Sequence, residues 1–150
     1  MTERRTTGVN KITANPSNTR EDHVFIKTQN LWIVRLAEKQ CDRVHKLVDS
    51  WGYFEKKNIG QQIQRSSDSI GANIVEGCGR QHPKDALNFL FMARASLDET
   101  IFWIHRASQR YLISSAETHS LLNAYTKLSI GLAAFIQYRK NRIQQPAVRS

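Results

Sequence analysis

The chain has 150 residues, 40% hydrophobic and 23% charged, with only seven glycines and three prolines. That length suits one domain with one hydrophobic core, and the scarcity of turn formers argues against an all-β protein. Lysine and arginine number 22 against 13 aspartates and glutamates, a net charge of +9 that favours phosphate-rich partners, with a basic surface kept for solubility as the plain alternative.

The longest uncharged apolar stretch, Leu128 to Tyr138, is well short of the ~20 residues a membrane helix needs. The N-terminus, M-T-E-R-R-T-T-G-V-N, has no apolar h-region, so no secretory signal is visible. Cys41 and Cys78 make no metal-type or redox-type spacing. These features lead us to expect a reduced, cytoplasmic protein with no membrane contact, whose thiols act as small core residues.

Residues 1–28 are rich in Thr, Asn and Arg and read as a flexible basic arm. Four helical patterns follow within 29–143. The first, from about Asn30 to Asp49, repeats Val34, Ala37, Cys41, Val44 and Val48, and Ser50, Trp51 and Gly52 break it. The second, from about Asn58 to Glu76, repeats Ile59, Ile63, Ser66, Ile70 and Asn73, with Ile74 alongside. The third opens at Pro83 and keeps one seam from Ala86 through Leu90, Ala93, Leu97, Thr100, Ile104 and Ala107 to Tyr111. The fourth, from about Ser115 to Ile143, repeats Leu121, Tyr125, Leu128, Leu132 and Phe135. Residues 144–150 read as a flexible tail.

Sustained three-and-four spacing with short connections predicts an all-α, antiparallel up-down four-helix bundle. Helix three also carries Phe89, Phe91, Met92, Ile101, Phe102 and Trp103 off its seam. We read them as a second contact face that buries this helix against another subunit; a broad core absorbing them all is the alternative.

The stretch S-D-S-I-G-A-N-I-V-E-G-C-G-R, residues 67–80, invites a phosphate-loop reading that fails. G-x-G-x-x-G would need glycine at His82, and no Walker pattern or preceding strand exists. A helix end explains the glycines instead: Gly71 loosens or bends helix two, and Gly77 or Gly79 supplies a left-handed stop before Pro83.

The longer run I-G-Q-Q-I-Q-R-S-S-D-S-I-G-A-N-I-V-E-G-C-G-R, residues 59–80, resembles the four-helix-bundle family first found encoded in intervening sequences of bacterial 23S ribosomal RNA genes. Gln62, Ile63, Arg65, Ser69, Ile70, Ala72, Asn73, Ile74, Glu76, Gly77, Gly79 and Arg80 match its pattern. Phe89, Leu90, Ala93, Ser96, Leu97 and Glu99 match a second run downstream. The resemblance spans roughly Leu31 to Arg142. Gly71 departs from the family's usual proline, Gln64 from an arginine and Ala95 from a glycine. The resemblance implies an antiparallel bundle assembled as a ring-shaped homopentamer. Related bundles serve diversity-generating retroelements as accessory subunits that bind a reverse transcriptase and nucleic acid.

Enzyme chemistry finds no support. A di-iron bundle needs Glu-x-x-His twice, and Asp42-x-x-His45 occurs once. Ser66, Ser67 and Asp68 lack a nucleophile elbow, and the arginine-to-histidine spacing of helical RNases is missing. No metal or other cofactor is expected. Arg65, Asn73, Glu76, Gly77 and Arg80 are assigned to the bundle or its interfaces, because a carboxylate near a burial boundary needs a cation, and Arg80, Arg65 and Arg94 are available. The candidate nucleic-acid surface is Arg35, Lys39, Arg43 and Lys46 on one face of helix one, with Arg139, Lys140 and Arg142 at the end of helix four. A solvated face partly balanced by Glu38 and Asp42 is the plain alternative. The expected partners are RNA or DNA through their phosphates, further copies of the chain, and a reverse transcriptase. A protein-interaction scaffold without nucleic-acid binding is the competing function.

Overall fold

In the computed structural model of the protein, residues 31–144 are described. Helix α1 is Trp32–Asp49. Helix α2 opens as a single turn at Tyr53–Glu55, passes through a π turn at Lys56–Gly60 and continues as Gln61–Gly79. Helices α3, Pro83–Gln109, and α4, Ser115–Gln144, complete an antiparallel four-helix bundle. Among the described residues there is no strand, and no helix is long and apolar enough to cross a membrane. The arm at 1–28 lies outside the described residues, and of the tail expected at 144–150 only Gln144 is described, as the last residue of α4.

The helix ends have local causes. Ser50 stops α1 by donating its hydroxyl and its amide to Leu47 O, at 2.6 and 3.2 Å. Trp51 then turns inward and is buried. Gly52 precedes a helix that starts at Tyr53, ahead of the Asn58 that the apolar pattern suggests, and the π turn accommodates the difference in register. Within that turn Gly60 is pressed against α1: a β-carbon there would lie 2.8 Å from Val48 Cγ1 and 3.0 Å from the Glu55 carbonyl.

The expected glycine stop of α2 is not how the helix ends. No described glycine has positive φ. The chain instead becomes extended at Arg80 and again at His82, where the following proline disfavours helical backbone. Gly77 serves packing, since a β-carbon there would meet Ala86 O at 2.9 Å and Phe89 Cβ at 3.2 Å. The left-handed residue sits in the α3–α4 turn instead, and it is Tyr111, with φ 59. Its amide donates to Ser108 O and that of Leu112 to Ala107 O, both at 3.0 Å. This is the Schellman arrangement, with tyrosine where glycine is usual.

Cross-helix pairs fix the register. Ser66 faces Thr100 and Arg65 faces Glu99, while Gly77 abuts Ala86 to Leu90, so α2 and α3 pack along most of their length. Gly71 faces Ala37 and Trp32 covers Gly131, which set α1 against α2 and α4. The core is mostly apolar and carries a mid-bundle polar layer. Ser67 Oγ lies 2.6 Å from the Tyr125 hydroxyl, Thr100 donates to Ser66 Oγ at 3.0 Å, and Cys41 donates to Ser67 O at 3.2 Å. Buried, mutually satisfied polar groups of this kind penalise slipped registers.

Candidate nucleic-acid interface

The α1 seam that faces inward is Ile33, Val34, Ala37, Gln40 and Val44. The opposite side of the helix therefore carries Arg35, Lys39 and Lys46 into solvent. Among the described residues these three make no ion pair, and their cationic ends are open to a ligand. Arg43 shares their face but leans across to α4. Its Nε and Nη2 donate to Glu117 Oε1 at 3.0 and 2.8 Å, and Nη2 also donates to Ser120 Oγ at 2.7 Å. The two charged side chains are 29% and 37% exposed. Arg43 thus acts as a tether between helices, and the stripe presents three unpaired cations rather than four. The carboxylate that Arg43 pairs with is Glu117, not the neighbouring Glu38 or Asp42.

Glu117 is placed by the start of α4. Ser114 Oγ accepts the Glu117 amide at 3.1 Å, and Thr118 N–H donates to Ser114 O. The sequence S-S-A-E has the spacing of a capping box, with its glutamate turned outward to Arg43.

The α4 cations each make a contact of their own. Arg139 is close enough to Cys78 to favour the thiolate, although burial dominates and pushes that thiol up. Lys140 lies over the Phe91 ring of α3 at 5.2 Å. Arg142 turns back on Tyr138, donating to its hydroxyl at 2.9 Å. Because Trp32 sits on Gly131, α1 begins at that level and Arg139 lies about 12 Å further along the α4 axis. The α1 stripe runs the other way from the same level. The two basic regions are thus stepped along the bundle rather than merged.

The motif residues make contacts within α2 and from α2 to α3. Arg65 on α2 pairs with Glu99 on α3 at 3.1 Å and also holds Gln62. Asn73 Nδ2 donates to Ser69 O at 2.8 Å. Glu76 pairs with Arg80 four residues on, and the Arg80 guanidinium covers the Phe89 ring at 4.5 Å. The Glu76 side chain is 49% exposed, not at a burial boundary. Next to these, α1 and α2 enclose an open groove of about 590 Å³ that includes His45, Asp49, Lys56, Gln64, Arg65 and Asp68. Lys56 and Asp49 pair across it at 2.9 Å, and the hydrogen bond from Lys56 holds the Asp49 carboxyl below its usual range. No three His, Cys, Asp or Glu side chains among the described residues gather to hold a metal ion.

Sequence reasoning missed Glu117, seventy-four residues from Arg43; only the shared bundle edge brings them together. It also missed the exposed rings of Tyr53 and Phe54, which precede the expected start of helix two.

Fold and surface together define a class: a small, strongly basic four-helix-bundle protein whose unpaired charge lies on helix faces. A profile of the 23S rRNA-intervening sequence protein family matches residues 29–134, and the chain belongs to that family. A solved structure of a protein of unknown function from the S23 ribosomal protein family of Bacteroides thetaiotaomicron VPI-5482 is similar at 26% identity and a TM-score of 0.62, over 69% of this chain and 97% of that one. No curated protein matches the chain.

Proposed function

We propose that the protein is a non-enzymatic homo-oligomer, a pentamer by its family resemblance, that binds RNA or DNA through basic helix faces and serves as the accessory subunit of a reverse transcriptase. The observation that carries this reading is the trio Arg35, Lys39 and Lys46, exposed on one face of α1 and unpaired among the described residues. Repeating that face around a ring multiplies the local potential without new residues. Binding is to backbone phosphates, so affinity falls steeply with salt and depends weakly on sequence.

Assembly is supported by α3, where Phe91, Met92 and Phe102 stand exposed. Phe91 and Phe102 are eleven residues apart, about three turns, and share a face. Ile101 and Trp103 instead pack against the core, and Phe89 lies under Arg80, so the exposed face is narrower than the off-seam residues implied. The same exposed rings favour the second reading, a protein-interaction scaffold.

Titration of labelled RNA and DNA at several salt concentrations tests the first reading. Binding that weakens steeply as salt rises is expected, and no binding near physiological salt contradicts it. Capture of a partner protein that survives nuclease treatment, without such binding, supports the scaffold. A monomeric mass by light scattering at micromolar concentration refutes the assembly.

A further inference from the structure

The end of the bundle where α1 meets α2 and α3 meets α4 carries three open aromatic rings. Tyr53 and Phe54, on the first turn of α2, are 79% and 72% exposed, and Tyr111 in the α3–α4 turn is 94% exposed. The register that sets Ser66 against Thr100 and Arg65 against Glu99 carries Tyr53 and Phe54 to the level of Tyr111. Packing does not account for them, because Trp51 and Ile113 fill the core at this end.

Tyr111 is the more demanding case. Its left-handed backbone suits glycine, and a residue with a β-carbon costs stability there. The ring returns nothing to the core in exchange. A strained position holding a solvent-exposed aromatic points to use rather than to packing.

The charges around the rings have one sign in excess. Asp49 is neutralised by Lys56 and Glu117 by Arg43. That leaves one carboxylate, Glu55, against two cations: Lys57, whose Nζ lies 5.8 Å above the Tyr53 ring, and Arg110, exposed beside Tyr111. Open rings with cations interleaved suit a ligand that offers flat π-faces and phosphates together. Unpaired bases on a strand do so, whereas a duplex hides its base faces within the stack.

We infer that this end of the bundle is a stacking platform for single-stranded nucleic acid, with Tyr53, Phe54 and Tyr111 receiving bases and Lys57 and Arg110 receiving phosphates. The inference rests on the nucleic-acid reading above and adds a preference for unpaired strands.

The test is a fluorescence-anisotropy titration of labelled oligouridylate and of a duplex RNA, at fixed salt, with the wild-type chain, the Tyr53→Ala/Phe54→Ala variant and Tyr111→Gly. Tyr111→Gly should bind the single strand about tenfold more weakly, as expected when one base no longer stacks, the double variant about a hundredfold more weakly because it removes two rings, and both should bind the duplex as before. Tyr111→Gly should also melt at a higher temperature, which separates loss of binding from loss of fold. Unchanged single-strand affinity in both variants overturns the inference, and so does an equal loss for duplex. A fall in assembly mass by light scattering accompanying the loss overturns it too, by making the rings an interface between copies. Wild-type binding that ignores the rings ends this inference alone. Absence of binding to either RNA ends the nucleic-acid reading with it.

Discussion

Arg43 on α1 grips Glu117 on α4 with two guanidinium nitrogens, at 3.0 and 2.8 Å, and so leaves the basic stripe it belongs to. The pair is only partly shielded from water, so its worth is that of a good surface ion pair, about 0.2–1 kcal/mol. Arg43→Gln should lower the melting temperature by up to about 4 °C in a chain of this size. It should change nucleic-acid affinity less than Arg35→Gln, which should leave the melting temperature unmoved. Differential scanning fluorimetry beside a binding titration checks both halves.

Ser67 and Tyr125 form the buried tie between α2 and α4, 2.6 Å apart with Tyr125 fully buried. Removing the Ser67 hydroxyl strands that of Tyr125, at a cost of about 1–3 kcal/mol, whereas removing the Tyr125 hydroxyl leaves Ser67 Oγ its weaker bond to Cys41 Sγ at 3.7 Å and should cost less. The double variant Ser67→Ala/Tyr125→Phe removes both groups and should cost less than the sum of the singles. Urea denaturation of the three variants measures the coupling, and strict additivity would show that the two hydroxyls do not depend on each other.

Alkaline pH should weaken the fold through half-buried Cys41 and buried Tyr125. Burial pushes the Cys41 thiol up from an ordinary 9.0 to about 12, with the Ser67 hydrogen bond pulling the other way, and burial likewise raises the Tyr125 phenol. A group whose folded pKa is raised holds its proton more tightly when folded. Its contribution is complete below the unfolded pKa and is lost as pH climbs through the folded one. For Cys41 that window runs from 9.0 to about 12. Stability measured by denaturant midpoint should therefore fall across it, and Cys41→Ala should flatten part of the decline.

Three glycines should respond differently to alanine. A β-carbon at Gly71 would sit 3.6 Å from Ala37 Cβ, an ordinary van der Waals distance, so Gly71→Ala should stabilise by about 0.5–1 kcal/mol through helix propensity. At Gly77 it would strike the Ala86 carbonyl, and Gly77→Ala should destabilise by about 1–3 kcal/mol. At Gly131 the obstacle is the outer edge of the exposed Trp32 ring, which can swing aside, so the change should be small. Chemical denaturation of the three single variants gives the order directly.

The helix seams were legible because burial repeats at the helical period. All seven buried residues of α3, from Ala86 to Ala107, fall on the expected seam. The seam fails at its last member: Tyr111 continues the spacing but lies past the helix, in a left-handed turn that periodicity cannot register. In α1 the buried stripe takes Gln40 and leaves Cys41 half-buried, and in α4 Ile136 is buried where Phe135 was expected. Each displacement is one residue, the ambiguity between three- and four-residue steps. The start of α2 was hidden because Gly52 belongs to the break after α1 and the π turn at Lys56–Gly60 puts the first turn out of step with the apolar pattern that begins at Ile59. Of the candidate surface, exposure was readable and pairing was not. Charge and spacing placed Arg35, Lys39 and Lys46 on the exposed face of α1. Nothing local couples Arg43 to Glu117 or splits Arg139, Lys140 and Arg142 among three directions.

The central claim is that the α1 cations carry nucleic-acid binding, and salt-dependent titration of the variant Arg35→Gln/Lys39→Gln/Lys46→Gln tests it most directly. The slope of log affinity against log salt should shrink in magnitude by about 1 for each phosphate that a bound chain no longer neutralises. Affinity should fall for RNA and DNA of any sequence. A variant that is folded, and binds with the wild-type affinity and slope, contradicts the account.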